Sequence, residues 1–363
     1  MAVYKIIREL LSSNREVSLW TVVCAGKNPT LEGKKIVAAQ GSVLYSNLPE
    51  ELAERVFSAT APLIKRGQSA LIDPDPAGKG HTGVKKLFVH SINPSPRLII
   101  LGGGHVGAAL CRLAAQLDYE ITVVDDRPSF AAGKAHPDAG LLICEPFEKA
   151  FDRFEPAPSD YIVIVTRGHQ HDRLCLEKAL NRPAAYIGMI GSKRRVAAQL
   201  ESLAAAGYSE DQLAKVHSPI GLSIGAVTEG EIALSILAEI TKVRRSRSSG
   251  EVFQDQILRE LERVELENSR AVLATIIRAQ GSTPRKTGSQ MIVFPDGALK
   301  GTIGGGCAEA EVRREALNCL DRSEPGLMSL NLTADAAAEE GMACGGLMDI
   351  YLELLPAAAG ASG

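Results

Sequence analysis

Residues 97–128 read RLIILGGGHVGAALCRLAAQLDYEITVVDDRP. Residues 97–101 form a short apolar run. Residues 106–117 carry the periodicity of a helix, and residues 120–124 form a second apolar run that ends in Asp125-Asp126. Between the first run and the helix lies Gly102-x-Gly104-x-x-Gly107. The first glycine permits the tight turn, the second lets a diphosphate approach the backbone, and the third lets helix and strand pack closely. The helix N-terminus then offers N–H groups and a positive dipole end to phosphate. His105 lies inside this turn and points toward any bound ligand. Asp125, about 20 residues on at the end of the next strand, stands where an acid binds ribose hydroxyls. This context predicts a Rossmann-like fold more firmly than it predicts NAD, because such scaffolds also serve without a dinucleotide.

Working outward, residues 141–144, 161–166 and 186–190 are further strand candidates separated by helical stretches, which predicts a doubly wound parallel sheet. Two loops follow these strands, at the sheet edge where ligands bind. The first is Thr166-Arg167-Gly168-His169-Gln170-His171-Asp172, in which Arg167 and His169 are candidate ligand contacts. His169 and His171 could also bind a metal with His105 or His217. The plainer reading has Asp172 capping the next helix. The second loop is Gly191-Ser192-Lys193-Arg194-Arg195. Ser192 suits an N-cap, and Lys193 and Arg194 add positive charge beside free N–H groups. That makes either a phosphate site or a solvated basic face.

The charged, serine-rich residues 244–250 read as a linker. Beyond it come a helix at about 252–267, three short strands, a glycine loop and a helix beginning near Cys307. Gly304, Gly305 and Gly306 let backbone approach a ligand. A thiol at a helix start, as at Cys307, has a raised thiolate fraction, although Glu309 and Glu311 nearby partly oppose this. Cys344 sits in a second glycine-rich segment, and Arg285 supplies a cation in a third loop, Ser282-Thr283-Pro284-Arg285. These loops suit one soft, anionic ligand.

The first 95 residues read as a diverged copy of this last segment. KKIVAAQGSVL aligns with QMIVFPDGALK and sets Gly41 opposite Gly297, but the first copy has Tyr45-Ser46-Asn47 where the later one begins its glycine loop. The expected organisation is a degenerate copy at 1–95, a Rossmann-like domain at 96–243 and an intact copy at 251–358. The flanking copies are expected to be small α/β domains with mixed sheets.

The length of 363 residues fits two or three domains at about 150 residues each. A net charge of −3 argues against a general nucleic-acid binder. With 34 glycines and 4% aromatics, the chain favours ligand loops built from backbone over stacking platforms for bases. No apolar run approaches the roughly 20 residues that cross a bilayer. The first residues mix charge into an amphipathic pattern unlike a signal peptide. No membrane association and a cytoplasmic location are therefore expected. The 7 cysteines lack zinc-type spacing and read as free thiols. Cys24, Cys111, Cys144 and Cys175 lie in apolar segments and are expected to pack inside.

LGGGHVG, VTRGHQHD, YIGMIGSKRR and HSPIGLSIGAVTEGEIALSILAEI in the middle of the chain, with GSTPRKTGSQMIV, GTIGGGCAEAEV and ACGG near its end, resemble the xanthine dehydrogenase accessory factors of the XdhC/CoxI type. The order differs from the usual family pattern, in which the glycine–cysteine domain precedes the Rossmann-like one. The resemblance implies a maturation role. Such a protein binds molybdenum cofactor (molybdopterin) as cargo, assists its sulfuration and delivers it to a xanthine dehydrogenase-type molybdenum hydroxylase. Cys307 would then sit near the molybdenum or the transferred sulfur, and a phosphate or nucleotide end would fit the Gly102–Gly107 turn and residues 192–194. A cysteine desulfurase as sulfur donor and a homodimer are further implications. An NAD(P)-dependent oxidoreductase and a non-catalytic nucleotide-binding module are the alternatives. The chain lacks iron–sulfur cysteine clusters, which argues against its oxidising xanthine itself.

Overall fold

In the computed structural model, residues 3–26, 28–64, 67–75, 83–247, 255–332 and 346–356 are described. The chain opens with α1 (Val3–Ser12), followed by β1 (Val17–Cys24), β2 (Lys35–Ala39), β3 (Ser42–Ser46), α2 (Glu50–Thr60), β4 (Ala70–Ile72) and β5 (Lys86–Ile92). The strands form one sheet in the order β3-β2-β1-β5-β4. Helix α2 lays Leu52, Ala53 and Val56 on Trp20, Val22, Ile36 and Val89.

Next come β6 (Arg97–Leu101), α3 (His105–Ala115), β7 (Glu120–Asp125), β8 (Leu141–Cys144), α4 (Phe147–Ala150), β9 (Tyr161–Ile164), α5 (His169–Leu180), β10 (Tyr186–Met189), α6 (Lys193–Ala205), α7 (Glu210–Leu213), β11 (Val216–His217) and α8 (Glu229–Arg247). Their strands form a six-stranded parallel sheet in the order β11-β10-β9-β6-β7-β8. The central strands read as continuous apolar runs because both faces are covered. Leu98, Ile100 and Val163 face the core shared with α3 and α8, whereas Ile99, Leu101, Ile162 and Ile164 face α4, α5 and α6. The order reverses between β6 and β9, so their loops flank the crevice where such sheets bind ligands. Cys111 and Cys175 are buried and Cys24 is half-buried, but Cys144 is exposed. It ends the edge strand β8, whose outer side has no neighbouring strand among the described residues.

The last segment comprises α9 (Asp255–Leu266), β12 (Ala271–Gly281), β13 (Gln290–Val293), β14 (Leu299–Gly301), α10 (Gly306–Arg322), β15 (Gly326–Asn331) and β16 (Gly346–Leu355). Its sheet, β14-β13-β12-β16-β15, repeats the order of the first. Every strand pair in both five-stranded sheets is antiparallel. Mixed sheets are thus not what forms. Tight connections such as Gln40-Gly41 reverse the chain between neighbouring strands, and short turns join only antiparallel pairs. Gly41 and Gly297 occupy the turns with φ of +80° and +79°.

Residues 1–94 and 248–363 make one compact unit, and residues 95–247 make the other. Within the first, α1 packs on α9 in a common core. Val3, Tyr4 and Ile7 of α1 join Ile257, Leu258 and Leu261 of α9 there. Glu265 of α9 accepts hydrogen bonds from the Val3 and Tyr4 N–H groups at 3.1 and 2.9 Å, which satisfies free donors at the start of α1. No described helix is long and apolar enough to cross a membrane.

Candidate functional site

The glycine turn of the parallel-sheet unit is shaped by contacts that exclude side chains. Gly102 has φ +117°, and a Cβ there would lie 2.4 Å from the Val165 carbonyl oxygen at the end of the neighbouring strand. A Cβ at Gly107 would lie 2.1 Å from the Gly102 carbonyl oxygen. Gly104 has open space where its Cβ would be, and it immediately precedes α3. Gly102 and Gly107 thus permit close packing, whereas Gly104 faces open space. His105 is exposed in the first turn of α3, with its ring edge-on to Phe130 at 6.5 Å.

Asp125 is buried and already engaged. It accepts from the Gly103 N–H at 2.9 Å, the Arg127 N–H at 3.0 Å, and Nε and a terminal nitrogen of Arg127 at 2.8 and 2.9 Å. Burial pushes this carboxyl up, but the Arg127 and Gly103 hydrogen bonds outweigh it and hold the group below its ordinary range. The Arg127 guanidinium also stacks on Phe130 at 3.8 Å. His136 Nε2 lies 3.0 Å from the Gly103 carbonyl oxygen and 2.9 Å from that of Phe130, so the segment after β7 covers Gly103. The carboxylate expected to await a ribose thus spends its lone pairs internally.

Arg167 is exposed and donates to Asp126 at 2.8 Å. Asp172 is buried, accepts from the Thr166 hydroxyl at 2.5 Å and from Arg195 at 2.8 Å, and so ties the loop after β9 to the start of α6. Ser192 caps α6 by accepting from the Arg195 N–H at 3.4 Å, while Lys193 and Arg194 are exposed at its first turn. The His171 ring packs on Phe147 at 5.3 Å. The side chain of His169 lies outside the described residues, and among the described residues no group of three His, Cys, Asp or Glu could hold a metal ion.

In the other unit, Gly304, Gly305 and Gly306 have φ of +134°, +80° and +63°, which only glycine adopts in succession without strain. Pro284 packs against Gly304, where a Cβ would meet its Cγ at 2.4 Å, so the loop at residues 282–285 and the glycine loop are adjacent. Gly346 lies under the same loop, 2.7 Å from Thr283 Cγ2 and 2.9 Å from the Ser282 carbonyl oxygen by its would-be Cβ. Cys344 lies outside the described residues. Gly305 has open space around it, Cys307 is exposed in the first turn of α10, and Arg285 is exposed on its loop.

Glu309 organises this loop, a role its sequence position alone conceals. Its Oε1 accepts from the Thr302 hydroxyl at 2.5 Å, the Gly305 N–H at 2.8 Å and the Ile303 N–H at 3.2 Å. Burial raises its pKa, yet these hydrogen bonds outweigh burial and hold the carboxyl below its usual range. The arrangement presents a thiol and open backbone, with a cation on the adjacent loop and no metal-holding cluster among the described residues. That chemistry suits capture of a soft or anionic group.

The chain thus combines a parallel-sheet unit with a glycine turn and an antiparallel unit with a glycine–cysteine loop. Residues 98–240 match the XdhC Rossmann domain, and residues 266–331 match the XdhC and CoxI family. The chain belongs to that family. It is 31% identical over 233 residues to the uncharacterized protein YqeB of Escherichia coli K12, covering 62% of this chain and 43% of YqeB. It is 33% identical over 159 residues to a probable xanthine dehydrogenase subunit of Bacillus subtilis 168, covering 44% and 46% of the two chains. It is 25% identical over 158 residues to the molybdenum cofactor insertion chaperone PaoD of Escherichia coli K12, covering 43% of each. The chain spans less than half the length of these relatives. A crystal structure of a xanthine dehydrogenase from Bacillus halodurans is similar at TM-score 0.52 and 25% identity, over 67% of this chain and 66% of that one.

Proposed function

We propose that this protein binds molybdenum cofactor as cargo, assists its sulfuration and passes it to a xanthine dehydrogenase-type molybdenum hydroxylase. The observation that carries this reading is the exposed Cys307 thiol beside the open Gly305 backbone, on a loop that Glu309 holds in shape. A thiolate is a soft ligand suited to molybdenum or to sulfur in transit. The likeness to a molybdenum cofactor insertion chaperone supports the same role. Gly102, Gly104, His105, Gly107, Arg167, His169, Ser192, Lys193 and Arg194 are proposed for the phosphate or nucleotide end of the cargo. Arg285, Gly304, Gly305, Gly306, Cys307 and Cys344 are proposed for its metal-bearing end. A cysteine desulfurase supplies the sulfur in this scheme. The protein works as a maturation chaperone in the cytoplasm, as a homodimer.

The test is retention of the cargo. Wild-type protein and Cys307→Ala are incubated anaerobically with released molybdenum cofactor and gel-filtered, and pterin fluorescence and molybdenum are read in the protein peak. Stoichiometric retention by wild type is expected, with at least a roughly tenfold loss in Cys307→Ala, on the order of 1.4 kcal/mol. No retention by wild type at micromolar protein would overturn the proposal.

The NAD(P)-dependent reading meets an obstacle at Asp125, whose oxygens are taken by Arg127 and Gly103. A ribose could bind there only by displacing a charge-assisted pair. Titration with NADH is expected to show no binding tighter than about 1 mM. Micromolar affinity would restore the oxidoreductase reading.

A further inference from the structure

The two segments of the antiparallel unit correspond position by position. Thr21 pairs in register with Lys35 on the adjacent strand, and Thr275 with Gln290. Lys35 Nζ donates to the Thr21 hydroxyl at 3.1 Å, and Gln290 Nε2 donates to that of Thr275 at 3.0 Å. On the other side, Leu19 pairs with His90 and Leu273 with Glu353. The β1–β5 and β12–β16 ladders each shift register once, between Val22 and Cys24 and between Ile276 and Arg278. The Gly33 N–H donates to Val22 at 2.9 Å, and the Gly288 N–H to Ile276 at 2.8 Å. Lys35 therefore corresponds to Gln290, and His90 to Glu353. The same spacing that relates Val17 to Ala271 relates Arg8 to Glu262.

The contacts between the segments join unlike members of this set. Lys35 Nζ meets Glu353 Oε2 at 2.8 Å, with side chains 4% and 5% exposed. Arg8 meets Glu262 at 2.6 Å on the α1–α9 seam. We propose that residues 3–92 serve as the tethered pairing partner of residues 255–356, and that Lys35–Glu353 selects this pairing over either segment with a second copy of itself. Two first segments together would set Lys35 against His90 and Arg8 against Arg8. Two last segments together would set Gln290 against Glu353 and Glu262 against Glu262. Each self-pairing buries an uncompensated charge twice, a penalty far larger than the net worth of a satisfied ion pair. Selectivity comes from that penalty on the wrong partner. The first segment, which has no GGGC sequence, thereby acquires a role: it occupies the face through which the last segment would otherwise self-associate.

The test uses the full chain with a specific protease site placed between residues 248 and 254 and cut there. Cut wild type is expected to run as one particle at micromolar concentration. Lys35→Glu and Glu353→Lys, each alone, are expected to loosen the two pieces at least about tenfold, and the double reversal to restore cohesion to within about threefold. Lys35→Gln, the milder change should a reversal fail to fold, is expected to loosen them in the same direction. Combining Gln290→Lys with Glu262→Gln equips the last segment to pair with itself, so its released piece is expected as a homodimer in native mass spectra. Separation of the cut wild type, single variants as cohesive as wild type, or absence of that homodimer would overturn the proposal.

Discussion

Gly107→Ala is expected to destabilise the parallel-sheet unit by about 4 kcal/mol, lowering its melting temperature by about 12 °C. The added methyl would sit 2.1 Å from the Gly102 carbonyl oxygen, well inside contact distance, and the atom it meets is backbone rather than the end of a flexible side chain. Relief requires α3 to move away from β6, yet Leu110, Cys111 and Ala114 of α3 are buried in the core with Leu98 and Ile100 of β6. Gly102→Ala should act similarly, since it meets Val165 at 2.4 Å and must also hold φ +117°. Gly104→Ala is the control. Its φ is −67° and it meets nothing within 4 Å, so the melting temperature should stay within about 2 °C. Thermal melts of the three variants decide the matter: equal losses at 104 and 107 would refute the packing explanation.

The antiparallel unit is expected to lose about 3 kcal/mol of stability between pH 6.5 and 4 through His90. His90 is buried, and burial, reinforced by the Lys35 charge, lowers its pKa from 6.5 to about 4. The unfolded chain takes up a proton at this residue near pH 6.5, while the folded chain refuses it until about pH 4. In that window the unfolded state binds more protons, so stability falls as pH falls and levels off below the folded pKa. In the same unit the Glu309 carboxyl, held low, weakens the fold mainly in more acid solution, whereas burial raises the Glu265 carboxyl, which partly opposes the His90 effect above pH 4.5. The single tryptophan, Trp20, lies in β1 and donates to the Thr60 hydroxyl at 3.0 Å, so its fluorescence reports on this unit. Urea unfolding at pH 7 and pH 4.5 should show the loss in wild type and most of it removed in His90→Gln. An unchanged pH dependence in that variant would assign the effect elsewhere.

The parallel sheet was legible because its information is local. Apolar runs, a glycine turn and a helical period within some thirty residues fix strand, turn and helix together. What lay beyond reach depended on partners distant in sequence or on side-chain direction. Asp125 stands at the expected strand end, but its hydrogen bonds to Arg127 and Gly103 could not be read from that position; a cation two residues away was the available signal. The position of Glu309 shows a charge that opposes the Cys307 thiolate, and only its backward turn into the loop shows that it shapes residues 302–305. Strand periodicity identified the pieces of the terminal sheets without giving their direction, so mixed sheets were expected where antiparallel ones form. Lys35 and Glu353 are separated by most of the chain, and no spacing rule links them.

One antiparallel unit assembled from both ends of the chain imposes an order on its birth. On the ribosome, residues 95–247 emerge complete and can close their own core, whereas α1 and the first sheet have only part of theirs. The α9 residues that complete the seam follow residue 247 within about 1 s at about 10 residues per second. From the synthesis of Val37 until then, roughly 20 s at that rate, Val3, Tyr4, Ile7 and Val37 lack the Ile257, Leu258 and Leu261 that cover them at the end. The nascent chain therefore carries an open greasy seam while the whole parallel-sheet unit is made, the interval in which a holding chaperone matters most to its yield.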